Sequence, residues 1–113
     1  MSKEHASLSV ERRKTFSDQR KQRGWSVARK VAKTLKETYG AEQVVAFGSL
    51  VRGVRFVEGS DIDLAVKGLS GRRFFRAVGD VAYSDHEFGI DVLDLDTCSP
   101  PFRARIEREG ISL

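Results

Sequence analysis

The chain has 113 residues, 40% hydrophobic and 32% charged, with a formal charge of +4. That length fits one domain around one core, and the composition (10 Gly, 2 Pro) excludes a wholly disordered chain and a collagen-like repeat. No apolar run approaches the roughly 20 residues of a membrane span, the N-terminus has no apolar signal core, and the only cysteine is Cys98, which excludes an internal disulfide and a Cys-rich zinc site. With two histidines, His5 and His86, little is left for a histidine metal cluster, and a cytoplasmic location is expected.

The charge is unevenly spread. Residues 1–40 hold 11 Lys+Arg and 4 Asp+Glu, a net of +7, whereas residues 41–113 hold 9 and 12, a net of −3. The basic character therefore belongs to an N-terminal arm, residues 1–24, ahead of a domain at 25–113. Such an arm fits either a solvated helix face, the reading preferred here, or a surface for nucleic acid or an acidic partner.

Along the chain, residues 1–8 read as frayed. Residues 9–23 are densely charged, with Val10 and Phe16 as their large apolar anchors, so a packed helix is not expected there. Beyond Gly24, which weakens helix continuity, Trp25, Ala28, Val31, Ala32, Leu35 and Tyr39 recur at spacings of three and four. That stripe predicts a helix over about 25–39, extendable back toward residue 10, with Gly40 as its stop. Gln43-Val-Val-Ala-Phe47 is a short apolar run of buried-strand type. Ser60-Asp-Ile-Asp-Leu-Ala-Val66 alternates, with Asp61 and Asp63 on one face and Ile62, Leu64 and Val66 on the other.

Ser70 is placed to cap a helix carrying Phe74, Ala77, Val78, Val81 and Ala82. Gly89-Ile-Asp-Val-Leu-Asp-Leu95 predicts a third strand. Ser99 followed by Pro100 is a helix start, Gly110 an end, and Ile111-Ser-Leu113 a final edge strand. The helix at 70–84 suits a crossover between parallel strands, whereas the 49–60 connection is short for one. The first two strands are therefore expected to be antiparallel, in a mixed sheet. That topology brings the Gly48-Ser49 turn, Asp61 and Asp63, and Asp91 to one end of the sheet.

Two carboxylates on one strand face repel each other, and a divalent cation relieves the repulsion. Mg²⁺ takes oxygen ligands from a few carboxylates, phosphate oxygens and water. Paired metals can clamp the attacking and leaving oxygens of an in-line phosphoryl displacement. A Gly-Ser turn after a strand offers close backbone approach, N–H donors and a hydroxyl to a phosphate. Asp91 shares its face with Leu93 and Leu95, where it needs a metal or partner, while Asp94 is expected to face solvent. Lys67, Arg72 and Arg73 are read as surface charge rather than triphosphate contacts, Asp85-His86 as a loop rather than a dyad, and Cys98 as a packed small residue. Arg52 fits a phosphate contact and a solvated turn equally.

At these residues the chain resembles a known family. Phe47-Gly-Ser-Leu-Val-Arg-Gly53 followed by Gly59-Ser-Asp-Ile-Asp-Leu64 is similar to the minimal nucleotidyltransferases of the polymerase β superfamily, and the likeness spans residues 25–113. Two departures stand out: the spacer from Ser49 to Asp61 holds eleven residues, one more than usual, and Leu50 stands where many members carry arginine. The resemblance implies an α/β nucleotidyltransferase fold, with helices covering a small mixed sheet. It implies transfer of a nucleoside monophosphate, AMP from ATP, to an acceptor hydroxyl. Asp61 and Asp63 would hold two Mg²⁺ ions, Asp91 would complete one of them and take the acceptor's proton, and Gly48, Ser49, Arg52 and Ser60 would bind the nucleotide. It further implies an antitoxin paired with, and AMPylating, a HEPN-type toxin. Two alternatives stand beside it: a catalytically silent antitoxin that acts by binding alone, and a transferase acting on a small molecule or RNA.

Overall fold

A computed structural model describes residues 2–53, 56–57 and 59–113, with side chains from residue 18 onward. Eight elements follow in the order α1 (Ser2–Glu37), β1 (Gln43–Phe47), α2 (Ser49–Arg52), β2 (Ile62–Lys67), α3 (Gly71–Val81), β3 (Ile90–Asp94), α4 (Pro100–Glu109) and β4 (Ile111–Ser112). The sheet order is β3-β2-β1-β4. As the connection lengths require, β1 and β2 are antiparallel and β2 and β3 parallel, the latter joined through α3. β4 closes the edge antiparallel to β1. This is the small mixed sheet expected from the sequence.

Strand alternation divides the apolar residues between two faces. Val44 and Ala46 of β1, Ile62, Leu64 and Val66 of β2, and Ile90 of β3 form the main core. α1 covers them with Ala28, Val31, Ala32 and Leu35, and α3 with Ala77 and Val81. The opposite face carries a smaller cluster, Val45, Ala65 and Leu95, covered by Ile106 of α4. α4 starts with Pro100 after Ser99 and ends at Gly110, as its sequence predicts. It covers that face only in part, which leaves the edge bearing Asp61, Asp63 and Asp91 open.

Three features differ from the sequence expectation. First, α1 is one continuous helix from Ser2 through Gly24. Gly24 is no break because it is a contact: a Cβ there would meet Phe56 Cζ at 3.0 Å and Leu50 Cδ1 at 3.1 Å, so the missing side chain lets α1 approach α2 and the following loop. Second, the basic segment is packed at its C-terminal end. Arg20 has a side-chain exposure of 14% and bonds Glu87 at 3.1 Å. Its Nε donates to the Val57 carbonyl, and its guanidinium lies 4.8 Å from the Phe88 ring centroid. Arg23 donates two 2.8 Å hydrogen bonds to the same Glu87. Third, Asp94 is buried rather than solvated. It ends β3 on the main-core face, where its Oδ1 accepts the Asp96 amide.

Candidate active site

β1 ends at Phe47, which pairs with Asp63, and β2 places Asp63 beside Asp91 of β3. Register partners in neighbouring strands point to the same face, with backbones about 4.8 Å apart. Asp61, two residues before Asp63, shares that face. The three carboxylates predicted to meet therefore occupy one face at one end of the sheet. The chain turns at Gly48 with φ 78° and ψ −151°, a conformation open to glycine, and enters α2 at Ser49.

Two glycines make room for the acids. A Cβ on Gly48 would run into Asp63 Oδ2, and a Cβ on Gly89 would stand 2.6 Å from Asp61 Oδ1. Gly48 was legible from the Gly-Ser motif. Gly89 was legible only as the start of a strand, because its importance depends on the register that sets it against Asp61.

Electrostatics singles out Asp63. Burial, followed by the charges of Asp91 and Asp61, pushes its carboxyl above the ordinary carboxylate value, while Arg52 pulls it down. Among the described residues, Asp61, Asp63 and Asp91 accept no hydrogen bond and form no ion pair. Nor, as they stand, is any group of three His, Cys, Asp or Glu side chains among those residues gathered closely enough to hold a metal ion. Asp61 and Asp91 are exposed, so rotating them toward Asp63 needs no repacking. Hard oxygen donors on one face, lacking protein partners, with Asp63 pushed up by burial and by its two acidic neighbours, fit Mg²⁺.

A pocket of about 220 Å³ opens beside Asp63. Gly48, Val51 and Arg52 form one wall, and Phe102, Arg105 and Glu109 of α4 form the other. Phe102 meets Phe47 edge-on, with ring centroids 6.3 Å apart, and Arg105 bonds Glu109 at 3.2 Å. Sequence reasoning missed this wall, because only the packing of α4 across β1 shows which helix face borders the acids.

Ser60 borders the acids, and the other residues singled out from the sequence fall elsewhere. The Ser60 hydroxyl accepts the Val57 amide at 3.1 Å and so closes the turn before Asp61. Leu50 is buried against α1 and anchors α2, a position at which a charged side chain would be costly. Lys67 pairs with Gln43 at the opposite end of the sheet, about 13 Å along the strand from Asp63. Arg72 and Arg73 border a groove with Glu37, Thr38 and Tyr39 at that same far end. Asp85 accepts the amides of Glu87 and Phe88 and shapes a loop, with His86 exposed. Cys98 is half-buried and donates to the Leu95 carbonyl. Among the described residues, no helix is long and apolar enough to cross a membrane.

Comparison with known proteins agrees with this fold. Residues 29–113 match the family model for polymerase beta nucleotidyltransferases. The fold is similar to the crystal structure of a Sulfolobus solfataricus protein assigned to the nucleotidyltransferases, with 20% identity and a TM-score of 0.57 over 85% of this chain and 84% of that one. No curated protein matches the chain.

Proposed function

The chain belongs to the polymerase β nucleotidyltransferase family, and we propose that it transfers AMP from ATP to a hydroxyl on a partner protein, a HEPN-type toxin that it thereby neutralises as an antitoxin. The observation that carries the chemistry is the half-buried Asp63, held between Asp61 and Asp91 on one sheet face and beside the Gly48-Ser49 turn. Asp61 and Asp63 would hold two Mg²⁺ ions, with Asp91 completing one of them. Bound there, the ions would clamp the attacking and leaving oxygens and stabilise the charge on the transferring phosphoryl group.

The chain's own residues supply position and proton transfer. The Arg52 amide donates to the Gly48 carbonyl, whereas the Ser49, Leu50 and Val51 amides at the start of the turn lack such acceptors, and with the Ser49 hydroxyl they suit the triphosphate. Arg52 lines the pocket beside Asp63 and can balance the phosphate charge. Asp91 is exposed, so a docked acceptor can reach it and pass it the hydroxyl proton. The acceptor oxygen then bonds to the α-phosphorus, the bond to the bridging oxygen breaks, and pyrophosphate leaves. The open edge left by α4 favours an acceptor presented by another macromolecule over a small molecule that must be enclosed.

The test is transfer itself. The full chain, Mg²⁺, ATP labelled at the α-phosphate and the product of the neighbouring gene are incubated together. Label is expected on that product with wild type and absent with Asp63→Asn. A labelled small molecule or RNA in place of protein would redirect the acceptor, and no transfer by wild type, with protection of cells intact in Asp63→Asn, would establish the silent binder.

A further inference from the structure

The outward face of α3 carries a pattern that the domain does not use. At 100° per residue, Ala77 and Val81 point into the core, and Arg72, Phe75, Arg76, Gly79 and Tyr83 fall on the opposite stripe. Phe75 is 73% exposed and Tyr83 92% exposed. The helical path continues through Ala82, whose amide bonds the Val78 carbonyl, so Tyr83 stands one turn beyond Gly79. A Cβ on Gly79 would meet nothing within 4 Å, so nothing within the described domain requires glycine at this interior helix position, where it weakens the helix.

The stripe is symmetric about that glycine. Phe75 lies four residues before it and Tyr83 four after. Arg76, three residues before it, and Asp80, one after, lie on one flank, and among the described residues neither forms a hydrogen bond or an ion pair. A surface self-complementary about a point is what a two-fold axis demands, because residue i must meet j and j must meet i.

We infer that α3 is a homodimer interface, in which two copies of this chain cross antiparallel at Gly79. In that arrangement Phe75 of each copy lies on Tyr83 of the other, and Arg76 of each stands about 3 Å along the helix from Asp80 of the other on the same flank, within reach of its long side chain. The absent side chain at Gly79 sets the close approach. Four aromatic side chains of this exposure would together cover about 700 Å². With the Arg72 and Arg76 stems, the interface reaches the lower end of the range for specific association, so the dimer is a weak one. α3 packs on the sheet face opposite the three carboxylates, so both acid sites remain open in the pair.

Sedimentation velocity of the full chain across concentration tests this. A reversible monomer–dimer equilibrium is expected, with a dissociation constant in the micromolar range. Gly79→Leu separates interface from stability: it should raise the Tm of the monomer, by removing a helix-weakening glycine, while weakening the dimer at least tenfold. Arg76→Asp and Asp80→Arg should each weaken the dimer, and the double exchange should restore it, because both cross-pairs are rebuilt. A monomer at every concentration, or a dimer indifferent to Gly79→Leu and to the charge exchange, would overturn the inference.

Discussion

The loop from Asp85 to Gly89 separates two charged clusters that the fold treats in opposite ways. Glu87 accepts hydrogen bonds from Arg20 and Arg23, and the bonds from Arg23 hold its carboxyl below the ordinary value. Two residues on, Gly89 borders Asp61, whose neighbour Asp63 is pushed the other way by burial and by like charges. The first cluster has its counter-charges within the chain and fixes architecture. It ties α1 to the loop before β3 and, through the Arg20 bond to Val57, to the loop before β2. The second lacks counter-charges within hydrogen-bonding reach, and the resulting repulsion works against the fold.

The sharpest break in the comparison is at the frustrated cluster. Asp91→Asn keeps the shape and removes the proposed proton acceptor, so transfer to the partner protein should fall by about 10²–10⁴-fold, measured as initial rates of label incorporation. Gly48→Ala should also abolish transfer, because its Cβ contests the space of Asp63 Oδ2. That variant should lose about 1–3 kcal/mol of stability in urea unfolding, from a strained φ and a steric conflict. Transfer at the wild-type rate by either variant would show that these residues do not carry the reaction.

The next largest effect belongs to the architectural side. Gly24→Val places a branched side chain where even a Cβ lies 3.0 Å from Phe56 and 3.1 Å from Leu50. Overpacking of this kind costs about 3 kcal/mol, visible as a lower urea midpoint with an unchanged slope. If Gly24→Val is as stable as wild type, α1 does not depend on close approach at that point.

These contrasts also explain what could be read from the sequence. The acids, the Gly-Ser turn and the strand that carries Asp91 were legible because each signal is local. A period of two puts Asp61 and Asp63 on one face, and a short connection forces β1 and β2 antiparallel. The paired cluster was not legible. Glu87 lies 64 residues from Arg23, in a chain with 20 Lys+Arg to choose from. Phe56 and Phe88, stacked with centroids 5.6 Å apart, lie in loops with no periodicity to flag them. Gly24 has the local signature of a weak point in a helix, and only its tertiary neighbours make it a contact. Asp94 is on the face opposite Asp91, as alternation requires, but the turn at Asp96 that consumes its carboxylate was not encoded in strand periodicity.

The smallest expected effect sets the two clusters against each other through pH. Glu87 has a lowered folded-state value, so its stabilisation is complete above the ordinary glutamate range and is lost as pH falls through the folded value. Asp63 has a raised value, so its contribution runs the other way: it favours the fold below the ordinary aspartate range and loses that advantage as pH rises through the raised value. Asn at position 63 carries no charge at any pH. The ligand-free Asp63→Asn protein should therefore show a small rise in Tm at neutral pH, well under the loss from Gly24→Val, and that gain should vanish under acid conditions where Asp63 is itself protonated. Glu87→Gln should do the reverse, with a lower Tm at neutral pH and a difference that closes toward acid. Calorimetry of wild type and both variants across pH 3 to 8 separates the two signs. A Tm for Asp63→Asn below wild type at neutral pH, without metal, would mean that the three carboxylates are not in conflict and that their charges are already balanced within the protein.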